Sequence, residues 1–324
     1  DVVVDDNSIN QNENGVDVFE ASRVRARNNI ISNTDANGIR VRSNSDDVVL
    51  TNNTIEDSAD AGIFLSSSSS NDIMDNTVTG VTTGIPFNGV GILLQSSSGN
   101  NVTGNILNNN DDGIQIESAI SENNNVSDNE LSANRRGVRL VGVSNNLVSD
   151  NNVTGSDFQG ILLVGPDTGG NDVVDNEVGP NNQDGIELRN VDADNTVSGN
   201  NATGNDNTGI ALDSSSGNDV VDNNASGNNI GIFLNSASNN NVTSNKANFN
   251  TNNFGIRLFG SDGNNVTSND ANGNRGGIVL SSSSDNILVD NNATENLEDG
   301  LGVSGSSNNN EVTENNASSN GENG

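Results

Sequence analysis

The sequence predicts an all-β fold: a right-handed single-stranded parallel β-helix, or solenoid, of about 13 coils of about 24 residues each. Three observations predict it. A glycine that precedes an apolar-x-apolar triplet recurs at a nearly constant interval, two short strand patterns alternate with polar turns in every interval, and one asparagine recurs at the same place in each interval.

The glycine sets the period of the repeat. Almost every step from one such glycine to the next is between 22 and 25 residues, and the exception is the step of 29 residues from Gly62 to Gly91, which carries an insertion at 80–89. The glycines are Gly15, Gly38, Gly62, Gly91, Gly113, Gly137, Gly160, Gly185, Gly209, Gly231, Gly255, Gly277 and Gly300, with Gly324 next in phase.

Within one repeat, Gly-Ile-x-Leu alternates apolar and polar positions with a period of two, which is typical of a strand and too short for a helix. A second strand pattern, Asn-x-Val-x, follows a turn rich in Ser, Gly, Asn and Asp. A unit this small cannot bury its apolar face alone. Successive copies must therefore stack, and parallel strands joined in sequence wind right-handed.

An asparagine after the second strand is the most regular position, and we expect it to form one hydrogen-bonded column with a structural role. The predicted column is Asn7, Asn28, Asn53, Asn76, Asn105, Asn129, Asn151, Asn176, Asn200, Asn223, Asn245, Asn269, Asn291 and Asn315.

The composition limits the partners of the chain. Only 30% of the residues are hydrophobic, and 44 acidic residues against 12 basic ones give a net charge of −32, which disfavours nucleic acids and anionic membranes. A very acidic surface with a single lysine suggests adaptation to concentrated salt, where repulsion is screened. There is no cysteine, so rigidity must come from stacking.

The repeat continues from one end of the sequence to the other. We expect residues 1–324 to form one β-helix domain, uncapped at both ends and cut from a longer secreted or cell-surface protein. The segment has no apolar run long enough to span a membrane. The expected partners are flanking domains of the same protein, a surface polysaccharide or other cell-surface proteins.

The order Gly231-Ile232-Phe233-Leu234, a serine-rich turn and Asn241-Val242-Thr243-Ser244-Asn245-Lys246-Ala247 resembles the pectate-lyase-like superfamily. More narrowly, it resembles the NosD-like right-handed β-helix repeats of archaeal surface proteins. The resemblance implies the fold but not one activity, because the superfamily includes lyases, hydrolases, epimerases, adhesins and viral tailspikes. With no His, no Cys and only Met74, the copper-associated role of the NosD-like name does not carry over.

Carboxylates immediately before the asparagine column form the best candidate for a metal site. Asp128, Asp150 and Asp175 occupy this position on three successive coils, where like charges about 5 Å apart repel unless a cation lies between them. One hypothesis is that they bind Ca²⁺, the one cofactor that the sequence suggests. The alternative is that salt simply screens them.

The outward position of the first strand is half apolar. Phe64 and Leu93 are outward neighbours flanked by the 80–89 insertion with Phe87, and together these three form a candidate binding patch. In the alternative interpretation the insertion folds over Phe64 and Leu93 and buries them as a small secondary core.

Ten Asn-x-Ser/Thr sequons provide candidate glycosylation sites if the chain is exported, and nine of them fall in two columns of the repeat. They are Asn52, Asn101, Asn125, Asn152, Asn201, Asn224, Asn241, Asn265, Asn292 and Asn316.

The missing His, Tyr, Cys and Trp remove most groups for proton transfer and the usual sugar-stacking side chains. We therefore expect a non-catalytic, salt-adapted structural or adhesive β-helix at the cell surface or outside the cell, which binds a carbohydrate or a partner protein. The alternative is a calcium-dependent polysaccharide lyase or another carbohydrate-active enzyme of the same superfamily, with Arg139 or Arg257 as base.

Overall fold

The computed structural model describes residues 1–82, 89–192, 194–250, 252–322 and 324. These residues form strands and turns, and among them no helix is long and apolar enough to cross a membrane. They fall into two compact units, Asp1–Asp157 (unit 1) and Phe158–Gly324 (unit 2). The expectation of a single continuous domain stays a prediction.

Unit 1 is built from three parallel sheets, which we name A, B and C in the order in which the chain visits them. Sheet A contains Val2–Asp5, Val24–Arg27, Val49–Thr51, Asp72–Met74, Asn101–Thr103, Asn125–Ser127 and Leu147–Ser149. Sheet B contains Ser8–Asn10, Ile30–Ser32, Thr54–Glu56, Thr77–Thr79, Ile106–Asn108, Glu130–Ser132 and Asn152–Thr154. Sheet C contains Val16–Phe19, Asn37–Arg42, Ala61–Ser66, Val90–Gln95, Asp112–Glu117 and Arg136–Val141.

The core of unit 1 is a stack of like apolar side chains. In sheet C, Ile63 pairs with Ile92 and Ile92 pairs with Ile114, and all three side chains are fully buried. The Gly-Ile-x-Leu pattern thus points its Ile and Leu inward, coil upon coil. Each fully buried side chain of this size contributes about 1.5–3 kcal/mol of hydrophobic stabilisation.

Sheet B is formed by a third strand in each coil, which the sequence pattern does not predict because it shows only two strands per repeat. Its strands are three-residue segments such as Thr54–Glu56 and Thr77–Thr79. Each has a single apolar side chain, Ile55 or Val78, and that side chain is fully buried. One inward residue per strand is too short a run to show a period of two.

Unit 2 repeats the arrangement of unit 1, with its own strands in positions A and C and fewer strands in position B. Sheet A contains Asp172–Val174, Thr196–Ser198, Asp219–Val221, Asn241–Thr243, Asn265–Thr267, Ile287–Val289 and Glu311–Thr313. Sheet C contains Ile161–Val164, Ile186–Arg189, Thr208–Asp213, Ile230–Asn235, Phe254–Phe259, Gly276–Ser281 and Leu301–Ser304. Six sheet C strands in unit 1 and seven here confirm the predicted solenoid of about 13 coils at about 24-residue spacing.

Sheet B shrinks in unit 2 because its inward residue becomes alanine. Among the described residues of unit 2, Glu177–Val178 is the one sheet B strand, and single parallel bridges continue from Asn201 to Asn316. The inward side chains here include Ala202, Ala225 and Ala247, all fully buried. A methyl group fills the space that an isoleucine or leucine fills in unit 1.

The periodic glycines permit this close packing. A Cβ added to Gly113 would lie 2.6 Å from the carbonyl oxygen of Gly137 and 2.7 Å from Cδ2 of Leu131. In unit 2, a Cβ on Gly231 would lie 2.5 Å from the carbonyl oxygen of Gly255 and 2.8 Å from Cβ of Ala247. Glycine recurs at the start of sheet C because any side chain would strike the next coil.

The asparagines after sheet A form a ladder in each unit, and all its members except Asn7 and Asn315 at the ends are buried. In unit 1, the side-chain amide of each donates to the Oδ1 of the next, through Asn7, Asn29, Asn53, Asn76, Asn105, Asn129 and Asn151. In unit 2 the ladder runs through Asn176, Asn200, Asn223, Asn245, Asn269, Asn291 and Asn315.

The column contains Asn29 and not Asn28, which the sequence analysis had placed there. Asn28 has a φ of 56°, and its Nδ2 donates to Oδ1 of Asp5 on the surface. Where two asparagines are adjacent, the spacing alone does not distinguish the buried one from the one in the bend.

Two further asparagine ladders stand at the other bends, and sequence reasoning missed both. One precedes sheet A, as in Asn240–Asn264–Asn286, and the other precedes sheet C, as in Asn110–Asn134. The signal is in the sequence, because asparagines recur five residues before and five residues after the first ladder, as at 240, 245 and 250.

Candidate functional site

The outer face of sheet C carries the strip of outward side chains that the repeat predicts. In unit 1 the register pairs Asp17, Arg40, Phe64, Leu93, Gln115 and Arg139 in that order. In unit 2 it pairs Leu162, Glu187, Ala211, Phe233, Arg257 and Val279. Strips of this kind place chemically different side chains side by side on one surface.

A cleft of about 400 Å³ opens along this face in unit 1. The half-buried Phe64 and Leu93 lie in it, so the predicted patch is part of a concave surface. Phe87, the third residue predicted for the patch, lies outside the described residues. The described residues that line the cleft are Glu13, Asn14, Ala36, Asn37, Arg40, Asp60, Ala61, Phe64 and Leu93.

One rim of the cleft is formed by the residues two positions before each sheet C glycine. The backbone amide of Ala36 donates to the carbonyl of Glu13 at 2.8 Å, and that of Asp60 donates to the carbonyl of Ala36 at 2.8 Å. Glu13 and Asp60 are exposed. Glu13, Ala36 and Asp60 thus occupy three successive coils of the rim, with the small side chain of Ala36 between the two carboxylates.

Two side chains of the lining have buried polar atoms without a partner. Nδ2 of Asn37 donates to Oδ1 of Asn14 at 3.0 Å, while Oδ1 of Asn37 itself is buried without a hydrogen-bond partner in the described part of the chain. Nε of Arg40 is likewise buried without a partner there. The cleft thus combines an apolar surface with donors and acceptors that the fold does not use fully.

Farther along the same face, Asp112 forms a charged cluster with arginines. Nε of Arg136 donates to Oδ1 of Asp112 at 2.8 Å, and Nη1 of Arg139 lies 3.5 Å from Oδ2. Arg139 also donates to Oε1 of Gln115 at 3.2 Å. Burial raises the pKa of Asp112 to about 6, against the opposing charges of Arg139 and Arg135. A carboxyl group with this pKa can carry or accept a proton near neutral pH.

Unit 2 has an arginine among aromatic rings instead. The guanidinium carbon of Arg257 lies 5.4 Å from the ring centres of Phe233 and Phe254 and 5.6 Å from that of Phe259. These distances are in the range of cation–π interactions. Three phenylalanine rings therefore surround Arg257, which the enzyme hypothesis names as a candidate base.

The aspartates before the asparagine ladder occupy left-handed bends. Asp128 and Asp150 in unit 1 have φ of 56°, and Asp175 in unit 2 has φ of 55°. Aspartate, asparagine and glycine tolerate this conformation best, which accounts for the column without a metal. Among the residues that the structure describes, no group of three or more His, Cys, Asp or Glu side chains could hold a metal ion. The Ca²⁺ site at Asp128, Asp150 and Asp175 stays a prediction.

Nine of the ten sequon asparagines lie on the sheet A or sheet B side of the coils. Asn101 pairs with Asn125 and Asn241 with Asn265 in sheet A, and Asn201 bridges to Asn224 on the sheet B side. Asn292 and Asn316 bridge in the same way, Asn152 begins a sheet B strand, and Asn52 stands in a bend. Adjacent sequons hydrogen-bond to each other, as from Nδ2 of Asn224 to Oδ1 of Asn201 at 2.8 Å.

Sequence reasoning missed the rim and floor of the cleft and the Asp112 cluster. Glu13, Asp60 and Asp112 all lie one or two positions before a periodic glycine. Aligning the repeats on those positions would have found them, because charged side chains there cannot be part of the inward apolar pattern.

Two protein-family models match this solenoid. A family model described as periplasmic copper-binding protein (NosD) matches residues 85–230 and 207–324, and a model described as right handed beta helix region matches residues 1–89. The chain belongs to the NosD family. No curated protein matches the sequence.

The copper of the NosD description does not fit these residues. Copper sites use imidazole, thiolate and thioether ligands, and this NosD-family chain has no His, no Cys and one Met. Among the described residues, no three or more Asp or Glu side chains are grouped so that they could hold a metal ion instead.

Solved structures similar to this NosD-family chain share its fold. A double mutant of the periplasmic alginate epimerase AlgG is 18% identical, with 90% of this chain and 77% of that chain covered and a TM-score of 0.66. The mannuronan C-5 epimerase AlgE6 A-module of Azotobacter vinelandii is 13% identical, with coverage of 94% and 91% and a TM-score of 0.63. The Dettilon tailspike protein is 15% identical, with coverage of 93% and 61% and a TM-score of 0.59.

Proposed function

We propose that this NosD-family chain is a non-catalytic β-helix, located outside the cytoplasm, that binds a saccharide in the unit 1 cleft on sheet C. The observation that carries the proposal is the lining of that cleft. It places Phe64 and Leu93 beside Asn37, Arg40 and two exposed carboxylates in a concavity of about 400 Å³.

A lining of this kind suits a sugar ring. The C–H face of a pyranose packs on an aromatic or aliphatic side chain, while its hydroxyl groups both donate and accept hydrogen bonds. Glu13 and Asp60 offer acceptors and Arg40 offers donors. Small-molecule sites generally combine an apolar surface with a few placed polar groups in this way.

The location proposed for the protein draws on its relatives and its surface. The NosD family and the AlgG epimerase are both described as periplasmic. Ten sequons, of which the paired ones lie on outward positions, and a net charge of −32 suit an exported, salt-adapted glycoprotein at the cell surface.

The proposal excludes catalysis because of the residue types in the cleft. Its lining contains no His, Tyr, Cys or Lys, and the whole sequence has no His, Tyr or Cys. Binding and adhesion need only shape and hydrogen bonds. Proton abstraction or transfer needs a group whose pKa is close to the working pH.

A second candidate function is a carbohydrate-active enzyme centred on Asp112. The pKa of this buried carboxyl group, raised to about 6, and its contact with Arg139 on the outward strip favour it. Arg139 donates hydrogen bonds to both Asp112 and Gln115. Asp112 is therefore a better candidate for the acid or base than Arg139.

Binding and product analysis on one set of samples test both candidates. The protein is incubated with a panel of purified oligosaccharides, binding is measured by calorimetry, and the recovered sugar is analysed by mass spectrometry and NMR. The proposal predicts binding with the sugar unchanged. A cleaved or epimerised product, lost in Asp112→Asn, would establish the enzyme instead.

Two variants locate the binding. Phe64→Ala and Arg40→Gln should each weaken binding about tenfold or more, since the first removes an apolar contact with the sugar ring and the second removes a hydrogen-bond donor to its hydroxyl groups. Phe249→Ala is the matched control, because Phe249 is 67% exposed in unit 2. Melting temperatures of all three show whether a loss reflects the site or the fold.

A further inference from the structure

The described lining of the unit 1 cleft has two acidic side chains and one basic side chain. Glu13 and Asp60 are exposed, and neither takes part in an ion pair within the described ranges. Arg40 is the one cation of the lining, and its charge already acts on Asp17 outside the cleft. The pKa of Asp17 is lowered chiefly by its hydrogen bond to Arg42 and in part by Arg40. A ligand in the cleft therefore meets two uncompensated carboxylates and one shared guanidinium.

The two carboxylates stand at a spacing that suits a ring between them. Glu13 and Asp60 are two coils apart on the rim, which is roughly 10 Å at the spacing of adjacent strands. Ala36, the residue between them, has only a methyl group and leaves the interval open. The same cleft is lined by Phe64, which pairs with Arg40 on one neighbouring strand of sheet C and with Leu93 on the other.

We infer that this cleft accepts an uncharged saccharide, with Glu13 and Asp60 accepting hydrogen bonds from its hydroxyl groups, and rejects the corresponding uronic-acid saccharide. The inference rests on the proposed saccharide-binding function and adds the class of sugar.

The physical reason is that a uronic acid replaces a hydroxymethyl group with a carboxylate. A hydroxymethyl group donates a hydrogen bond to a carboxylate, whereas a second carboxylate at the same place cannot donate and is repelled. The net charge of −32 adds a repulsive field for any polyanion that approaches. Two close like charges are enough to weaken binding about tenfold or more in water.

Matched pairs of oligosaccharides test the inference with the whole chain. Each pair consists of a neutral hexose oligosaccharide and its uronic-acid counterpart: gluco with glucurono, galacto with galacturono, and manno with mannurono. Binding is measured by calorimetry at about 0.15 M salt, where charges interact over about 8 Å. Wild-type protein should bind the neutral member of at least one pair at least about tenfold more tightly than the acidic member.

The double variant Glu13→Gln, Asp60→Asn keeps the side-chain shapes and removes the two charges. It should bind the uronic-acid member about tenfold more tightly than wild type does, while its affinity for the neutral member changes less. The control is Glu56→Gln, Glu130→Gln, which removes two exposed charges of sheet B in the same unit. The control should leave the ratio of the two affinities unchanged.

The outcomes separate this inference from the function on which it rests. If wild type binds an acidic member more tightly than its neutral counterpart, or if the control shifts the ratio as much as the cleft variant, the cleft does not select against uronic acids although it binds saccharides. If wild type binds no member of any pair, both the saccharide function and the inference are wrong.

Discussion

Each ladder asparagine satisfies several backbone and side-chain groups at once. Oδ1 of Asn129 accepts from the backbone amide and from Nδ2 of Asn105, at 2.9 and 3.0 Å. Its Nδ2 donates to the carbonyl of Val102 and to Oδ1 of Asn151, both at 2.9 Å. The side chain is 1% exposed, so water cannot replace these partners. One amide thereby connects three consecutive coils.

Replacement of Asn129 by alanine should cost about 3 kcal/mol of unfolding free energy, because buried donors and acceptors above and below lose their partners. Chemical denaturation followed by circular dichroism measures the cost. Asn152→Ala is the control, since Asn152 is exposed on sheet B, and it should cost less than about 0.5 kcal/mol. Equal costs for the two variants would show that the ladder does not stabilise the coil.

Asp112 makes the stability of the fold depend on pH. Its folded-state pKa of about 6 lies above the usual value of about 3.9 for an unfolded chain. The unfolded state therefore releases this proton first as pH rises. Asp112 therefore adds about 3 kcal/mol to the free energy of unfolding below about pH 4, and this contribution is lost as the pH rises to about 6.

The variant Asp112→Asn should lack this loss. The difference in unfolding free energy between variant and wild type should move in favour of the variant by up to about 3 kcal/mol from pH 4 to pH 7. Taking the difference cancels the contributions of Asp184 and Glu187, whose pKa values burial also raises. A difference that stays constant over this range, or moves the other way, would contradict the raised pKa.

Among the structural elements, the bend between sheets A and B explains the acidic column. The position before each ladder asparagine is left-handed whether it holds an aspartate, a serine or a glycine, as at Asp128, Ser244 and Gly104. The backbone thus selects small or side-chain-bonding residues there. The column of aspartates reflects this backbone requirement.

Two substitutions of Asp128 separate the backbone explanation from a metal site. Asp128→Ala should lower stability by about 1 kcal/mol, because alanine is strained at positive φ, whereas Asp128→Gly should change it by less than about 0.5 kcal/mol. Thermal and denaturant unfolding without added metal measure both. Glycine as damaging as alanine would show that the carboxylate itself has a role.

The sequence predicts the elements that repeat with a strong apolar pattern and misses those with a weak one. Ile63 and Leu65 identify sheet C because two inward residues flank one outward residue. Sheet B has one inward residue per strand, and Ala202 and Ala225 give no strand signal at all. The face that carries Phe64 and Leu93 was predictable from the period of two. The positions of Glu13 and Asp60 before Gly15 and Gly62 are also visible when the repeats are aligned, but that the two form one rim with Ala36 between them becomes clear only when the coils are stacked.

For the whole molecule, the dominant long-range force is repulsion among carboxylates. The chain has 44 acidic and 12 basic residues, so most carboxylates have no basic residue to neutralise them. Exposed pairs contribute little individually. Dissolved salt should therefore stabilise the fold by shortening the range of repulsion to about 3 Å at 1 M.

The melting temperature should rise steadily from low salt to about 3 M KCl or NaCl, and Ca²⁺ at matched ionic strength should add nothing. Circular dichroism at a β-sheet wavelength follows the unfolding. Sharp stabilisation by micromolar to millimolar Ca²⁺ at low salt would reveal a specific site and restore the calcium-dependent hypotheses.

The fold of this NosD-family chain is shared with epimerases and a tailspike, and the fold alone does not choose between binding and catalysis. The choice depends on the residues of sheet C. In unit 1 these residues form a cleft with a hydrogen-bonding rim, while in unit 2 Phe233, Phe254 and Phe259 surround Arg257.

A crystal structure of the protein with the tightest-binding oligosaccharide of the panel tests the central claim most directly. The account predicts an intact sugar ring packed on Phe64 and Leu93, with hydroxyl groups within hydrogen-bonding distance of Glu13, Asp60 or Arg40. A sugar bound on sheet A or sheet B, or a cleaved or epimerised sugar beside Asp112, would contradict it.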